Sequence, residues 1–302
     1  MLSFSILAGV LNQGLVYSLM ALGVFLTFRV LDFPDLSVDG SFPLGAAVSA
    51  KLIIEGYNPF VALTGAILAG LVAGSLTGFL NTKLKISSLL AGILTMTALY
   101  SVNLRIMGRA NIPLLQEPTF LTILEKWVPI GQYLPLLAFS IVVIFCKVVL
   151  DWFLRTEMGL ALRATGDNPH MIRSLGVNTD FMKICGLALS NGLVAFSGGL
   201  VAQYQGFADV GMGIGTIVAG LASVIIGEVI LRPRFITGQV LAAIVGSLIY
   251  RVVIFCALRL GFAPTDLKLV TAILVIGALA APNLSRTKKQ DQKAQQNLQL
   301  EA

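Results

Sequence analysis

Residues 163–183, RATGDNPHMIRSLGVNTDFMK, form a polar segment between long apolar stretches of the chain. The segment contains arginine, lysine and aspartate together with His170, the only histidine of the protein. On either side the sequence is rich in valine, leucine, isoleucine, phenylalanine and glycine. An α-helix needs roughly 20 apolar residues to cross a hydrocarbon core of about 30 Å. We therefore predict that the segment connects two membrane-spanning helices and lies outside the bilayer.

The whole chain has the composition of a membrane protein. Of its 302 residues, 56% are hydrophobic and only 12% are charged, and the mean hydropathy is +0.87. Soluble domains carry about 25% charged residues, so this composition excludes an ordinary cytosolic enzyme. The sequence also lacks the alternation of an outer-membrane barrel. The predicted fold class is all-α, a polytopic membrane helix bundle.

Apolar runs predict eight or nine membrane-spanning helices. Seven runs are long enough to cross, at residues 5–28, 59–81, 87–107, 133–153, 183–205, 212–230 and 235–257. Two shorter candidates are 41–54 and 267–281. As a helix, 41–54 would be about 21 Å long, so it either crosses or is re-entrant. Close helix packing is predicted by a small-residue stripe at Gly70, Gly74 and Gly78.

The distribution of lysine and arginine predicts the orientation of the chain. Most of these residues face the cytoplasm if the N-terminus lies outside, in agreement with the positive-inside rule. Residues 155–183 and the C-terminus are then predicted to be cytoplasmic. We expect one transmembrane domain, residues 1–284, and a disordered cytoplasmic tail, residues 285–302.

The stretch RVLDFPDLSVDG, residues 29–40, places three aspartates and a proline between two apolar runs. Irregular polar backbone is tolerated at membrane depth only when it is buried in protein or lines water. One interpretation is a broken helix whose N-terminal end faces the translocation pathway, with Asp35, Ser37, Asp39 and Ser41 as the residues concerned. The other interpretation is an ordinary cytoplasmic loop in which an aspartate caps the next helix.

A weak internal repeat relates two parts of the chain. NQGLVYSLMALG from Asn12 resembles NGLVAFSGGL from Asn191, and FPDLSVDGSFPLGAAV from Phe33 aligns with FADVGMGIGTIVAGLA from Phe207 after a gap. In the predicted topology the two copies run in opposite directions. Inverted repeats with broken helices near the substrate path are common in transporters. Two stretches rich in glycine, leucine and valine also resemble each other by chance, so both explanations stay open.

Two polar residues inside predicted spans are further candidates for the translocation pathway. Asn191 either forms a hydrogen bond between helices or contacts the solute. Arg251 lies deep in its span, and intramembrane cations usually face a bundle interior or a cavity. Glu228 is expected to form a salt bridge with Arg232 or Arg234, which follow it closely in the sequence.

The sequence lacks the residues of a catalytic site. It has one histidine and contains no G-x-S-x-G, no H-E-x-x-H and no G-x-x-x-x-G-K-[ST] phosphate loop. Cys146, Cys185 and Cys256 have no metal-type spacing. We predict a non-enzymatic protein that binds no metal and no cofactor and does not hydrolyse ATP by itself. Basic cytoplasmic loops explain the net charge of +6, so no nucleic-acid partner is expected.

The polar segment carries the signals of a short capped helix. Asp167 or Asn168 can cap it, Pro169 suits its first turn, Gly176 ends it, and Asn178 begins the next membrane helix. A helix of this kind across the cytoplasmic face suits docking of a partner, and a merely solvated loop is the alternative. The residues predicted to couple the chain to a partner are Arg163, Gly166, Asp167, Asn168, Pro169, His170, Met171, Arg173, Leu175 and Gly176.

A specific resemblance supports docking. The sequence MGLALRATGDNPHMIRSLGVNTDFMKICGLALSNGLVAFSGG, residues 158–199, resembles the cytoplasmic loop and following helix of permease subunits of bacterial ABC importers in the branched-chain amino acid/ribose group. DFPDLSVDGSFPLGAA, residues 32–47, is similar to that family's D-L-S-V-G-S element, with Asp39 as an additional residue before the glycine. The similarity covers roughly residues 5–282 and looks closest to permeases for amino acids, including tryptophan and other aromatic ones.

The resemblance implies partners and a mechanism. Permeases of this group lie in the bacterial plasma (inner) membrane and pair there, here by default as a homodimer in lipid. They receive solute from an external binding protein or lipoprotein. A cytoplasmic ABC ATPase contacts a coupling helix, here within residues 163–178, and ATP is used by that partner. The expected function is therefore permease subunit of an ABC importer for a small solute, with an amino acid favoured.

Other functions compete with this expectation. A sugar or nucleoside importer would use the same architecture. An ion-coupled secondary transporter would need intramembrane acids, and the mid-span regions do not provide convincing ones. A non-transporting membrane scaffold would explain the helices but not the coupling segment.

Overall fold

The computed structural model describes residues 4–127, 131–262, 266, 269–273 and 275–277. Within this part of the chain, seven helices are long and apolar enough to cross a membrane. The protein is therefore a polytopic helical membrane protein, as predicted, although eight or nine spans were expected. The predicted span 267–281 falls partly outside the described residues, and the predicted tail 285–302 lies wholly outside them.

The described residues form a bundle of helices with one two-stranded sheet. The helices are α1 (Phe4–Phe25), α2 (Val38–Ile54), α3 (Pro59–Thr82), α4 (Ser88–Met107), α5 (Phe120–Trp127), α6 (Leu134–Arg155), α7 (Glu157–Asp167), α8 (Pro169–Ser174), α9 (Thr179–Gln205), α10 (Thr216–Leu231) and α11 (Ile236–Arg259). A π-helical turn, Leu26–Val30, extends α1. The strands are β1 (Asn111–Pro113) and β2 (Phe207–Asp209), and they pair antiparallel.

Two landmarks define the ends of the bundle. The ribbon side carries the β1–β2 pair, which joins the loop after α4 to the loop after α9. The α8 side carries α7 and α8, and there Arg29 Nε lies 2.9 Å from Glu228 Oε1. The predicted salt bridge of Glu228 with Arg232 or Arg234 is therefore wrong. The end of α10 lies beside the end of α1, which brings a partner distant in sequence into reach.

Helix α9 occupies the centre of the bundle and contacts α1, α2 and α3. Small residues let the backbones of α3 and α9 approach closely. A Cβ atom on Gly70 would lie 2.3 Å from Asn191 O, and one on Gly74 would lie 2.1 Å from Leu187 O. The small-residue stripe predicted on α3 is thus the surface that α3 presents to α9.

Residues 31–54 run from the α8 side to the ribbon side, and only their second part, α2, is helical. The chain leaves α1 on the α8 side, and the end of α2 lies on the ribbon side, where Gln203 Nε2 donates to Ser49 Oγ at 3.0 Å. Residues 31–37 cover the first part of this path without regular helix. The 17-residue helix α2 then starts at Val38, beside Asn191 near the middle of the 27-residue α9. The region 41–54 therefore continues toward the ribbon side and does not return to the α8 side.

The two parts of the predicted repeat have matching local structure and opposite directions. Gly23 of α1 packs on Ser190 of α9, whereas Ser197 Oγ donates to Val16 O, so the two helices are antiparallel. Each is followed by a Phe-x-Asp sequence and then by a short helix, of 17 residues in α2 and 16 in α10. Structural correspondence of this kind favours an inverted repeat over chance similarity.

Replacement of Gly45 by alanine tests the close contact between α2 and α9. A Cβ atom there would lie 1.8 Å from Ala195 O, so Gly45→Ala must push the helices apart. Overpacking of this kind typically costs about 1–3 kcal/mol. We expect a clearly lower apparent melting temperature of the detergent-solubilised protein. Gly9→Ala is the matched control, because nothing lies within 4 Å of that Cβ position. Equal melting temperatures for the two variants would contradict the packing described.

Candidate functional site

The segment that connects α7 to α9 folds as a short capped helix, as the sequence predicted. Asn168 Oδ1 accepts a hydrogen bond from Met171 N at 3.0 Å, and Pro169 is the first residue of α8. Gly176 has φ of +85°, a conformation that favours glycine and ends the helix. Asn178 Oδ1 then accepts from Asp180 N and Phe181 N, both at 3.1 Å, and so caps α9.

Helix α8 presents apolar side chains on a polar end of the bundle. Met171 is 50% exposed and Leu175 is 69% exposed, whereas Ile172 is buried and anchors the helix from below. Arg173 Nε donates to Thr179 Oγ1 at 2.6 Å, and its Nη2 lies 2.9 Å from Asp180 Oδ1. These contacts hold α8 in a defined orientation against the first turn of α9. Met171 of α8 and Leu175 at its C-cap form an exposed apolar pair, called the α8 surface below.

Helix α7 links α8 to the end of α1. Thr156 caps α7 by accepting from Gly159 N at 3.3 Å, and Leu162 is buried. A Cβ atom on Gly166 would lie 2.1 Å from Val30 O, so α7 rests directly on the turn where α1 ends. Arg163 and Asp167 line a cavity of about 310 Å³ together with residues of α1 and α11.

The predicted coupling residues therefore divide into two groups. Asn168, Pro169 and Gly176 build α8, Gly166 positions α7, and Arg173 fixes α8 against α9. The remaining members are exposed or half-buried on the α8 side: Arg163, Asp167, His170, Met171 and Leu175.

Four of the predicted pathway residues form one buried hydrogen-bond network near half-depth. Asn191 Nδ2 donates to Asp35 Oδ2 at 2.8 Å, and Asn191 Oδ1 accepts from Ser41 Oγ at 2.6 Å. Ser37 Oγ lies 2.5 Å from Asp35 Oδ1, its nearer acceptor, and 3.1 Å from Asn191 Oδ1. Asp35 Oδ1 also accepts from Ser37 N at 2.9 Å. All four side chains are almost completely buried. The network joins the start of α2 to the middle of α9, so the acidic stretch is not an ordinary solvated loop.

Asp39, the additional residue in the D-L-S-V-G-S element, caps α10. Its Oδ1 accepts from Ile217 N at 2.7 Å and from Thr216 Oγ1 at 2.9 Å, and its Oδ2 accepts from Gly215 N at 2.9 Å. The first turns of α2 and α10 therefore meet inside the bundle. Sequence analysis missed Thr216, because nothing in the order of residues along the chain links it to Asp39.

The structure also corrects the expectation that the mid-span regions lack acids. Asp35 and Asp39 both lie beside the first turn of α2, level with the middle of α9. Each carboxylate is bonded to neutral donors of the protein. Their first role is to satisfy backbone groups of helices that begin inside the bundle.

Arg251 packs on an aromatic ring. Its Cζ lies 3.5 Å from the ring centroid of Tyr17, which in turn stacks on Phe42 at 5.5 Å. Arg251 Nε is buried without a hydrogen-bond partner, and no carboxylate in the described part of the chain forms an ion pair with Arg251. The guanidinium thus ties α11 to α1 by a cation–π contact. Sequence analysis did not identify Tyr17, since nothing in the chain order links it to Arg251.

Replacement of Asn191 by leucine tests the buried network. Asn191→Leu leaves Asp35 Oδ2 and the Ser41 hydroxyl without their partner, whereas Ser37 Oγ keeps its bond to Asp35 Oδ1. Each such buried group costs about 1–3 kcal/mol. We expect a lower apparent melting temperature and less folded protein on gel filtration. Asn111→Leu is the control, because Asn111 is exposed and donates only to Asp209 Oδ2 at 3.2 Å. If the Asn191 variant is as stable as that control, the network contributes nothing to folding.

Comparison with known proteins places the chain among membrane permeases. The family described as branched-chain amino acid transport system / permease component matches residues 6–279. The chain is 48% identical over 280 residues to the tyrosine transport system permease protein of Clostridioides difficile (strain R20291). That alignment covers 93% of this chain and 92% of the relative. The chain is 37% identical over 293 residues to an uncharacterised protein of Rickettsia prowazekii, covering 95% and 99%.

A more distant relative transports a sugar according to its name. The galactofuranose transporter permease protein of Escherichia coli (strain K12) is 28% identical over 191 residues, covering 62% of this chain and 52% of that protein. No solved structure gives a significant match. Because the family match extends over nearly the whole chain, from the first described helix past α11, the protein belongs to the permease components of branched-chain amino acid transport systems.

Proposed function

We propose that this chain is the membrane-spanning subunit of an ABC importer for a neutral amino acid and is driven through α8 by a separate ATPase. The observation that carries the proposal is the α8 surface. Two large apolar side chains, Met171 and Leu175, stand exposed on a helix that its own caps and Arg173 hold in place. Exposed apolar groups rimmed by polar residues are typical of protein contact sites.

The proposed route of coupling runs from α8 into the membrane region. Displacement of α8 by the ATPase moves α7, because the two helices are separated only by Asn168. Gly166 of α7 rests on Val30, at the start of the non-helical residues 31–37. That segment leads directly into the Asp35–Asn191 network and α2, and Asp39 then connects α2 to α10. A push on the α8 side would therefore reach both short helices.

The partners and orientation follow from this proposal. The α8 side faces the cytoplasm and the N-terminus lies outside, as the distribution of lysine and arginine predicted. ATP is bound and hydrolysed by the partner ATPase, and this chain contributes no cofactor site. An external binding protein or lipoprotein delivers the solute, and a second copy of the permease completes the pathway within the lipid of the inner membrane.

The nature of the solute is inferred from the names of the relatives and from how much of the chain each one matches. The relative that is 48% identical is named as a permease for tyrosine transport. The sugar permease shares only 28% identity over part of the chain. We therefore infer a neutral amino acid, with tyrosine as the first solute to test, rather than a sugar or nucleoside.

Serine substitutions on α8 test the docking surface. The double variant Met171→Ser, Leu175→Ser removes the exposed apolar groups and leaves the caps of α8 intact. We expect co-purification of the co-expressed ABC ATPase and ATP-driven uptake in proteoliposomes to fall at least tenfold. Leu84→Ser is the matched control, since Leu84 is 57% exposed in the loop between α3 and α4 on the same side of the bundle. Wild-type ATPase binding and uptake in the double variant would refute the coupling role of α8.

Uptake measurements test the solute and the energy source. Proteoliposomes containing the permease, its ATPase and its binding protein should accumulate labelled tyrosine only when ATP is supplied. Labelled galactose and uridine should not accumulate. A protonophore should leave uptake unchanged, whereas a secondary transporter that uses Asp35 or Asp39 for proton coupling would lose uptake. Sugar accumulation, or loss of tyrosine uptake with the protonophore, would require a different function.

A further inference from the structure

A cavity beside Asp39 opens to the surface of the chain near half-depth. It has a volume of about 260 Å³ and lies between α2, α4 and the turn that precedes α10. Its apolar walls include Pro43, Met96 and Val210, and its mouth is formed by exposed residues, among them Tyr100 and Ile214. Small-molecule sites are typically concave, mostly apolar and provided with a few polar groups. The cavity has this composition and suits a small solute.

The polar groups of the cavity are mainly acceptors. Asn103 is completely buried, its Nδ2 donates to Gly40 O at 3.1 Å, and its Oδ1 has no hydrogen-bond partner. Asp39 Oδ2 accepts only from Gly215 N, although a carboxylate oxygen can accept more than one hydrogen bond. The Thr97 hydroxyl is committed as a donor to backbone oxygens of α4. A ligand that satisfies this cavity must therefore bring hydrogen-bond donors.

The charge of Asp39 adds a preference for a cation. The carboxylate is bonded to two backbone N–H groups and one hydroxyl, all of them neutral. No lysine or arginine in the described part of the chain forms an ion pair with it. The carboxylate also occupies the N-terminus of α10, which is the end of a helix that would otherwise attract an anion. An anionic ligand is thus excluded from this position, and an ammonium group is favoured.

We propose that this cavity is a solute site on the translocation pathway and receives the ammonium group of an amino acid at Asp39 and Asn103. The apolar walls hold the side chain of the solute, and its carboxylate points toward the open mouth. The inference deepens the proposed function, on which it rests for the class of solute. It also gives Asp39, the residue added to the family element, a role in selecting zwitterions over acids.

The test compares three ligands that share one aromatic ring. Saturation-transfer NMR measures binding of tyrosine, tyramine and 4-hydroxyphenylpropionate to the permease–ATPase complex in nanodiscs, without the binding protein. Tyrosine and tyramine carry the ammonium group, and 4-hydroxyphenylpropionate lacks it. We expect the first two to bind and the third to bind at least tenfold more weakly, because a charge-assisted hydrogen bond is lost.

Variants of the cavity sharpen the test. Asp39→Asn removes the charge but keeps one oxygen, which can still accept from Ile217 N and the Thr216 hydroxyl, and it should weaken tyramine binding at least tenfold. Thr97→Trp fills the cavity from its exposed mouth and should abolish binding without touching Asp39. Asp151→Asn is the control, because that carboxylate pairs with Lys147 on α6 and does not line the cavity. Melting temperatures of all three complexes identify a loss of binding that results from unfolding.

Two results would overturn the proposal. If the three ligands bind equally and Asp39→Asn changes nothing, the cavity recognises the ring alone, as a lipid or detergent pocket would. If folded Thr97→Trp still binds tyramine like the wild type, the site is elsewhere. A failure of the proposed function can be told apart from a failure of the cavity proposal. In that case tyrosine uptake in proteoliposomes would be absent, whatever the NMR experiment shows. If tyrosine is taken up but the binding experiments contradict the expectation, only the proposal of a solute site in this cavity is refuted.

Discussion

Two helices of this protein begin inside the bundle, so the backbone N–H groups of their first turns must find acceptors within the protein. Buried N–H groups without partners are costly wherever water is excluded. Asp35 accepts from Ser37 N at the start of α2, and Asp39 accepts from Gly215 N and Ile217 N at the start of α10. The carboxylates also suit the positive ends of the helices. These carboxylate caps determine the position of α2, the contact between α2 and α10, and the cavity beside them.

The buried network explains why polar residues are retained in so apolar a chain. Asn191 lies on α9, the helix against which α1, α2 and α3 pack. Its side chain contacts Asp35, Ser37 and Ser41 around the start of α2. Glycine residues bring the surrounding backbones close enough to leave no room for a side chain. Hydrogen bonds, rather than flexible loops, hold the ends of the short helices in this rigid centre. We therefore expect each short helix to move as one unit. The proposed coupling route uses this property, since it starts at α8 and passes through Val30 to the start of α2.

The proposed function and the proposed solute site depend on different features of the same architecture. Docking at α8 needs an exposed apolar pair on a fixed helix, which Met171 and Leu175 provide. Selection of a solute needs groups that face the pathway near half-depth, and Asp39 with Asn103 are the pair that borders a cavity there. Asp39 belongs to both aspects, because it holds α10 to α2 and lines the cavity. Occupation of the cavity and the relative position of the two short helices would then be linked.

Local signals in the sequence were sufficient for much of the fold. The apolar runs predicted the seven long helices, and Asn168, Pro169 and Gly176 predicted α8, because capping and span length depend on residues close together in the chain. The shorter apolar run at 41–54 likewise predicted most of α2. Tertiary structure alone decided which distant groups meet: Glu228 with Arg29, Arg251 with Tyr17, and Asp39 with the first turn of α10. The physical reason is that these contacts join helices whose order in space depends on backbone packing, and no spacing along the chain encodes that order.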